Sequence, residues 1–439
     1  MTLFSVPRSG FGRSCASLLL SALAGCGSEQ AADHGAPPGS TSGSGAGGST
    51  NAAAGSNPGG STAMAGSTQT GSAGGGVGGA SAGAAGVSNA VSGAAGVAGA
   101  AAAGAAGTAS SCPNSSAALA PWPGKNDVKT LDLAAQFKSD LSGLTYEPAA
   151  AGATGALWAV NNLSGTLFRL VQSGSGYVPD TTNGWAAGKV LHYPTGKGQP
   201  DSEGVTFGAS VADGVYVGTE HDGDDASTSR PSVLRYDVAG DATSLTATRE
   251  WNLTALLPKL GANTGIEGIT WVPDSYLTTQ GFLDESKAHA YAPAEYANHG
   301  TGLFFVGIEE SGKLYGFALN HADGSAALLA TISAPTKGVM GLEFDRDTGD
   351  LWFNCDDGCD NQSGILRVDT RADSASRGKF VLYRLFQRPS SLPNSNNEGI
   401  ALAPNSECSG GFKRFFWTDD ADQDGFSLSS DLIPCNTCF

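Results

Sequence analysis

The chain has 439 residues, of which 41 are acidic and 24 basic, so its formal net charge at pH 7 is −17. A surface with this excess of acidic groups repels nucleic acid and anionic lipid, which argues against binding of either through charge. The charged residues before Lys125 are two basic and two acidic ones, namely Arg8, Arg13, Glu29 and Asp33. The whole net charge therefore belongs to the part that follows, which we expect to attract cations.

The first 26 residues have the pattern of an export signal. Arg8 and Arg13 precede an apolar run over residues 16–24, which is too short to span a bilayer. The run ends in Leu23-Ala24-Gly25-Cys26, which resembles the lipobox of bacterial lipoproteins, where the cysteine is acylated and becomes the mature N-terminus. The resemblance implies anchoring through lipid on Cys26. Because no Asp follows Cys26, we expect the outer membrane or the cell surface. An ordinary signal peptide is the alternative.

Residues 27–111 consist almost entirely of Gly, Ala, Ser and Thr. A segment of this composition buries too little apolar surface to offset its ordering entropy, so we predict a disordered linker. Residues 112–439 remain for one folded domain.

The folded part has six cysteines, an even number that fits an oxidising compartment. Spacing favours a local bridge between Cys355 and Cys359. Cys112 and Cys408 would then pair with Cys435 and Cys438, in either of two ways. A zinc site is the alternative, but the spacings match no closed four-ligand pattern.

A short sequence motif recurs five times in this domain, in which one residue is followed by Gly and then by alternating apolar residues. The opening residues of the five copies are Ser142, Glu203, Glu267, Met340 and Glu398. A turn and further β-rich runs follow each copy, which is typical of antiparallel meanders.

The copies are 61, 64, 73 and 58 residues apart, which fits propeller blades with loop insertions. We therefore predict an all-β fold, a β-propeller of five blades. Six blades are the alternative if residues 274–299 hide a degenerate one, and a two-sheet sandwich is the competing architecture. The β-rich run over residues 128–133 has no place in the repeats, and we expect it to complete the last blade and close the ring.

Propeller geometry places the start of each first strand and the end of each second strand on one face. Glu203, Glu267 and Glu398 would then meet at the mouth of the channel. Polar pairs that follow the second strands would join them: Asn161-Asn162, Glu220-His221, Glu309-Glu310, Asp356-Asp357 and Asp419-Asp420. Crowded carboxylates hold protons or bind a cation, and oxygen ligands favour calcium. Glutamates that are merely solvated at the rim are the alternative.

A second acidic pattern is the alternation of Asp420, Asp422 and Asp424 before Gly425, with Asp431 at the twelfth position. This spacing suits a calcium loop, although Asp replaces the usual Glu at position twelve. An Asp-rich hairpin without metal is the alternative.

For catalysis, the sequence has no Gly-x-Ser-x-Gly motif, and the histidines of the domain are scattered. His221, beside Glu220, is the candidate general base or metal ligand. A hydrogen-bonded surface histidine is the simpler interpretation.

The motifs around Glu203, Glu267 and Glu398 resemble those of exported β-propellers of the phytase-like superfamily, including the esterase-like and SdiA-regulated groups. They are more distantly similar to gluconolactonase-type propellers. The resemblance implies a divalent-metal pocket on the channel face with these three glutamates as ligands. Ser142 and Met340 depart from the pattern. There is also no cluster of Lys and Arg for a polyphosphorylated substrate.

Two functions follow from these features. The first is a metal-dependent phosphoester or ester hydrolase, with Glu220 or His221 as the base. The second is a non-catalytic propeller that binds a ligand or a protein and is stabilised by calcium and disulfides. We expect a monomer at the cell envelope that binds a small molecule or a surface ligand and no nucleic acid.

Overall fold

The protein is described by a computed structural model that covers residues 116–137, 140–149 and 153–435, without the side chains of Asp422 and Gln423. The predicted signal peptide with Cys26, the predicted linker, Cys112 and Cys438 lie outside the described residues. Among the helices of the described part, none is long and apolar enough to cross a membrane.

The recurring motifs form the first strands of five blades, and the described residues fold as a five-bladed β-propeller. The prediction of the fold is confirmed. The first strands are Leu141–Glu147, Pro200–Phe207, Ile266–Pro273, Gly341–Asp345 and Asn397–Leu402. The second strands, antiparallel to them, are Ala156–Asn161, Val215–Asp222, Gly302–Ile308, Asp350–Asn354 and Phe412–Gln423.

The outer half of each blade continues the meander. The third strands are Thr166–Ser173, Asp225–Tyr236, Lys313–Leu319, Ser363–Val368 and Phe426–Pro434. The fourth strands are Lys189–His192, Arg249–Asn252, Ala326–Ser333, Phe380–Phe386 and, from the start of the domain, Lys129–Thr130. Blade 1 also holds Gly176–Pro179 against its third strand and Ser244–Thr246 parallel to its fourth.

The N-terminal segment closes the ring as predicted, because Lys129–Thr130 pairs antiparallel with Phe426–Pro434, the third strand of blade 5. The same segment also adds a strand that the sequence did not indicate. Leu119–Ala120 lies parallel to Phe380–Phe386 on the outer edge of blade 4. Residues before the first repeat therefore cover the edges of two neighbouring blades.

The insertion in blade 3 is not a sixth blade, so that alternative was wrong. It contains a short helix, Asp274–Thr279, a two-stranded hairpin of Leu283–Asp284 and His289–Ala290, and a 3-10 turn, Pro293–Glu295. Leu277 and Phe282 of this insertion pack into the apolar core beside blade 3. Further 3-10 turns are Val211–Asp213, Asp357–Cys359 and Asn405–Glu407.

The apolar core lies between adjacent blades. Tyr216 and Val233 of blade 2, for example, share a cluster with Ile269 and Phe304 of blade 3. Around the channel the first strands approach one another closely. A Cβ at Gly143 would lie 2.4 Å from the carbonyl oxygen of Glu203, and one at Gly341 would lie 2.4 Å from that of Glu398. The glycine of the recurring motif is therefore required by strand contact.

Two disulfides are present in the described residues, and both agree with the predicted pairings. Cys355 bonds to Cys359, and Cys408 bonds to Cys435. The second bridge decides between the two partners that the sequence left open for Cys408.

Candidate metal centre

The starts of the first strands and the ends of the second strands surround one cavity of about 470 Å³ at the mouth of the channel. Among the described residues that line it, nine are carboxylates, one is a histidine, and none is Lys or Arg. The nine carboxylates are Asp140, Asp201, Glu203, Glu220, Glu267, Glu309, Asp356, Glu398 and Asp420. The crowding of acidic groups on one face, which the repeats predicted, is thus present.

Glu203, Glu267 and Glu398 come from three different blades, and the structure brings them together. One carboxylate oxygen of each lies within 4.8 Å of the others. Their exposed fractions are 4%, 5% and 6%. Asn396 Nδ2 donates to Glu398 Oε1 at 3.0 Å, whereas Glu203 Oε2 and Glu398 Oε2 are buried without a hydrogen-bond partner.

A local irregularity of the strands positions each glutamate. The strand register shifts between Ser202 and Gly204, between Ile266 and Ile269, and between Asn397 and Ile400. Each interval contains one of the three glutamates. β-Bulges of this kind reorient side chains and are common beside functional sites, which explains how strands with alternating apolar residues present carboxylates at the rim.

The electrostatics of the cluster favour either protons or a cation. Burial raises the pKa of Glu203, Glu267 and Glu398 well above its usual value. Neighbouring carboxylates raise the three pKa values further, with Asp201 foremost for Glu203 and Asp420 for Glu398. Because each charged form is disfavoured by desolvation and by like charge, a divalent cation would replace the protons and restore the ionised state.

Glu220 extends the cluster towards blade 3. Its Oε1 accepts a hydrogen bond from the Gly265 backbone N–H at 2.9 Å, which fixes the carboxylate in the buried rim. Glu220, Glu267 and Glu309 form a second group whose ligand atoms lie within 4.8 Å of one another. Burial, followed by the charge of Glu220, raises the pKa of Glu309 to about 7.

His221 lies beside Glu220 as predicted, but its main partner is Asp201. His221 Nδ1 contacts Asp201 Oδ2 and is 3.4 Å from Glu220 Oε2. Burial raises the pKa of Asp201 to about 7, although the charge of His221 lowers it. Asp201 was not among the site residues predicted from the sequence. The signal was its position two residues before Glu203, since side chains at i and i+2 share one face of a strand.

Some residues of the polar pairs after the second strands line the cavity, and others lie outside it. Asn162, Glu309, Asp356 and Asp420 line the cavity, and blade 2 contributes both Glu220 and His221. Glu310, in contrast, accepts hydrogen bonds from the Gly261 backbone N–H and the Thr264 hydroxyl on the exposed side.

The second acidic pattern forms a hairpin in the structure, and calcium binding at this loop stays a prediction. Gln423 pairs with Phe426, and the turn between them has positive φ at Asp424 and Gly425. Asp420 belongs to the channel cavity, where burial and then Asp140 raise its pKa to about 6. Asp431 accepts a hydrogen bond from Trp122 Nε1 at 2.8 Å and takes no part in the turn. The side chain of Asp422 lies outside the described ones.

No family model and no curated protein matches the sequence. Among the solved structures that match is a chain from the "Crystal Structure of Mitotic Checkpoint Complex", with 11% identity and a TM-score of 0.30. The match covers 71% of this chain and 95% of that one.

Proposed function

We propose that the channel mouth binds a divalent cation, with calcium favoured, and that the protein is a hydrolase of esters or phosphoesters. The observation that supports this proposal is the convergence of Glu203, Glu267 and Glu398, with Oε2 of Glu203 and Oε2 of Glu398 buried and unpartnered. Carboxylate oxygens are the ligands that calcium prefers in proteins. A buried acceptor without a donor costs free energy, and a cation removes that cost.

A bound cation would polarise a carbonyl or phosphoryl oxygen and lower the pKa of water at the site. The residues of the chain supply the proton transfer. Asp201 and Glu220 face Nδ1 of His221 and orient its ring, which leaves Nε2 to accept a proton. In this assignment His221 is the general base, and Asp201 is a positioning residue.

The charge of the cavity narrows the substrate class. Because the lining described above contains nine carboxylates and lacks Lys and Arg, a polyphosphorylated substrate would be repelled. Within the phytase-like resemblance, we therefore propose an esterase-like member whose substrate is neutral or carries a single negative charge.

Calcium titration of the full chain by calorimetry and thermal melting tests the metal site. We expect saturable binding and a higher melting temperature with calcium, both lost in the Glu203→Gln/Glu267→Gln/Glu398→Gln variant. Glu310→Gln is the matched control because Glu310 lies outside the cavity. Calcium binding that survives in the triple variant, or is absent from the wild type, contradicts the proposal.

Hydrolysis of 4-nitrophenyl acetate and bis(4-nitrophenyl) phosphate tests the catalytic part. We expect turnover that requires calcium and falls about a hundredfold or more in His221→Asn, since general base catalysis contributes 10²–10⁴-fold. Calcium binding without turnover of either compound would instead support the non-catalytic propeller that uses calcium for stability.

We also propose that the protein is held at the outer membrane or cell surface by lipid on Cys26, on the strength of the lipobox resemblance. Expression in a bacterium with a radiolabelled fatty acid should label the wild type and leave Cys26→Ser unlabelled and released from membranes. Equal labelling of the two proteins would contradict the anchor.

A further inference from the structure

A second cavity, of about 860 Å³, lies on the opposite face of the ring between blades 2 and 3. Its lining comes from the ends of the first and third strands and the starts of the second and fourth strands. The cavity at the channel mouth, which we call the acidic cavity, is lined by the opposite ends of the strands. We call it the basic cavity and define it by Tyr216, Arg235, Arg249, Trp271, Phe304 and His321. No residue of the proposed hydrolase site lines it, although Val215–Asp222 and Ile266–Pro273 contribute residues to both cavities.

Neither arginine of the basic cavity forms an ion pair with a carboxylate among the described residues. Arg235 donates from Nε to the Asp213 carbonyl oxygen at 2.8 Å and from Nη1 to the Thr248 hydroxyl at 2.9 Å. Arg249 donates from Nη2 to the Ala322 carbonyl oxygen at 3.2 Å. These neutral acceptors fix the guanidinium groups in place without neutralising their charge.

Beside the two arginines, the lining holds one carboxylate and two histidines. The carboxylate of Asp213 is an acidic group in the lining, and it accepts hydrogen bonds from the backbone and hydroxyl of Ser210. His299 is paired with Asp274 at 3.0 Å. Burial, followed by the charge of Arg235, lowers the pKa of His321 to about 4, so its ring is neutral at pH 7 and both donates and accepts.

Arg346 contacts two residues of the cavity wall without lining the cavity itself. Its Nη2 donates to the carbonyl oxygen of Gly208 at 2.7 Å, and its guanidinium carbon lies 4.9 Å from the ring centroid of Trp271. Tyr216 and Phe304, whose ring centroids are 4.4 Å apart, form an apolar floor.

We propose that the basic cavity is a second ligand site, which binds a small organic anion. A carboxylate or phosphate group would pair with Arg235 and Arg249, and an apolar ring would contact the floor of Tyr216 and Phe304. In a chain with a net charge of −17, a cavity with unpaired guanidinium groups and an apolar floor is suited to an amphipathic anion. The proposal is independent of the metal and of hydrolysis.

Binding of 2-naphthoate and 2-naphthyl phosphate to the full chain, measured by calorimetry in the presence of EDTA, tests the proposal. EDTA excludes an anion bridged to a metal in the acidic cavity. Neutral 2-naphthamide is the matched ligand, and we expect it to bind at least tenfold more weakly than the better of the two anions. The preference between the two anions identifies the acidic group that the cavity takes.

Arg249→Gln should weaken binding of the anion about tenfold, as the loss of a charge-assisted hydrogen bond requires. Arg377→Gln is the control, because it removes the same charge from an exposed loop on blade 4. Arg235→Lys, which keeps the charge, should retain part of the affinity. The proposal is overturned by an absence of saturable binding up to millimolar anion, by equal binding of the amide, or by equal effects of Arg249→Gln and Arg377→Gln.

Discussion

Lys413 and Asp345 form an ion pair inside the ring, with Lys413 Nζ 2.6 Å from Asp345 Oδ2 and the two side chains 1% and 5% exposed. The pair joins the second strand of blade 5 to the end of the first strand of blade 4. Lys413→Met leaves a buried carboxylate without its cation, so we expect the free energy of unfolding to fall by about 3–5 kcal/mol. Urea unfolding measures the loss.

Lys129→Met is the matched control for this prediction. Lys129 pairs with Asp127 at 2.7 Å, but both side chains are about two-thirds exposed. An exposed pair contributes about 0–1 kcal/mol. Comparable losses in the two variants would mean that burial does not determine the strength of the interior pair.

Stability should depend on pH through Glu343, which lies on the first strand of blade 4 and accepts a hydrogen bond from the Thr145 hydroxyl. Burial raises its pKa to about 8, although Arg346 lowers it. In the unfolded chain a glutamate ionises near pH 4.3. Between about pH 4 and 8 the folded state therefore binds more protons than the unfolded state, and the free energy of unfolding falls as pH rises.

Glu343→Gln removes this titration. Urea unfolding gives the free energy of unfolding of both proteins at each pH. We expect the value of the wild type, relative to that of the variant, to fall by on the order of 1 kcal/mol between pH 5 and pH 8. Glu310→Gln supplies the comparison, since hydrogen bonds hold the pKa of the exposed Glu310 below its usual value. Its stability difference should stay constant over the same range, and a constant difference for Glu343→Gln would refute the assignment.

Ring closure should depend on Asp431. Its Oδ2 accepts from Trp122 Nε1 at 2.8 Å and from the Asn126 backbone N–H at 2.7 Å, which ties the N-terminal segment to the third strand of blade 5. Asp431→Ala leaves the buried Trp122 Nε1–H and the partly buried Asn126 N–H without their acceptor, and we expect a loss of about 2–3 kcal/mol in urea unfolding.

A double-mutant cycle with Trp122→Phe isolates the contact from the general effect of truncation. A coupling energy of at least 0.5 kcal/mol is expected for groups in direct contact. Additive effects of the two substitutions would show that Asp431 does not act through Trp122.

The sequence predicted the parts of the fold that the repeats specify. Five motifs with period-two alternation became five first strands, and ring geometry predicted that Glu203, Glu267 and Glu398 would lie on one face. The β-bulges that orient the three side chains were not predictable. The closing strand near Lys129 was predictable because a ring without it would leave an edge exposed.

The features that were missed depend on contacts between blades. The parallel strand Leu119–Ala120 has only two residues and no periodicity to detect. Arg235 and Arg249 belong to blade 2 and His321 to blade 3, so no motif connects them before the chain has folded. The loop of Asp420 and Asp424 was ambiguous because the same Asp-Gly pattern serves calcium loops and tight hairpins.

The closure of the ring also determines the order in which the protein can fold. Trp122 and its partner Asp431 are separated by 309 positions, so the segment that closes the ring is synthesised long before the strand that it joins. Until residues 426–434 emerge, blade 5 lacks its third strand, and Lys129–Thr130 has no strand to pair with. A chain that ends early therefore keeps an open sheet edge, which makes incomplete copies prone to aggregation and to proteolysis.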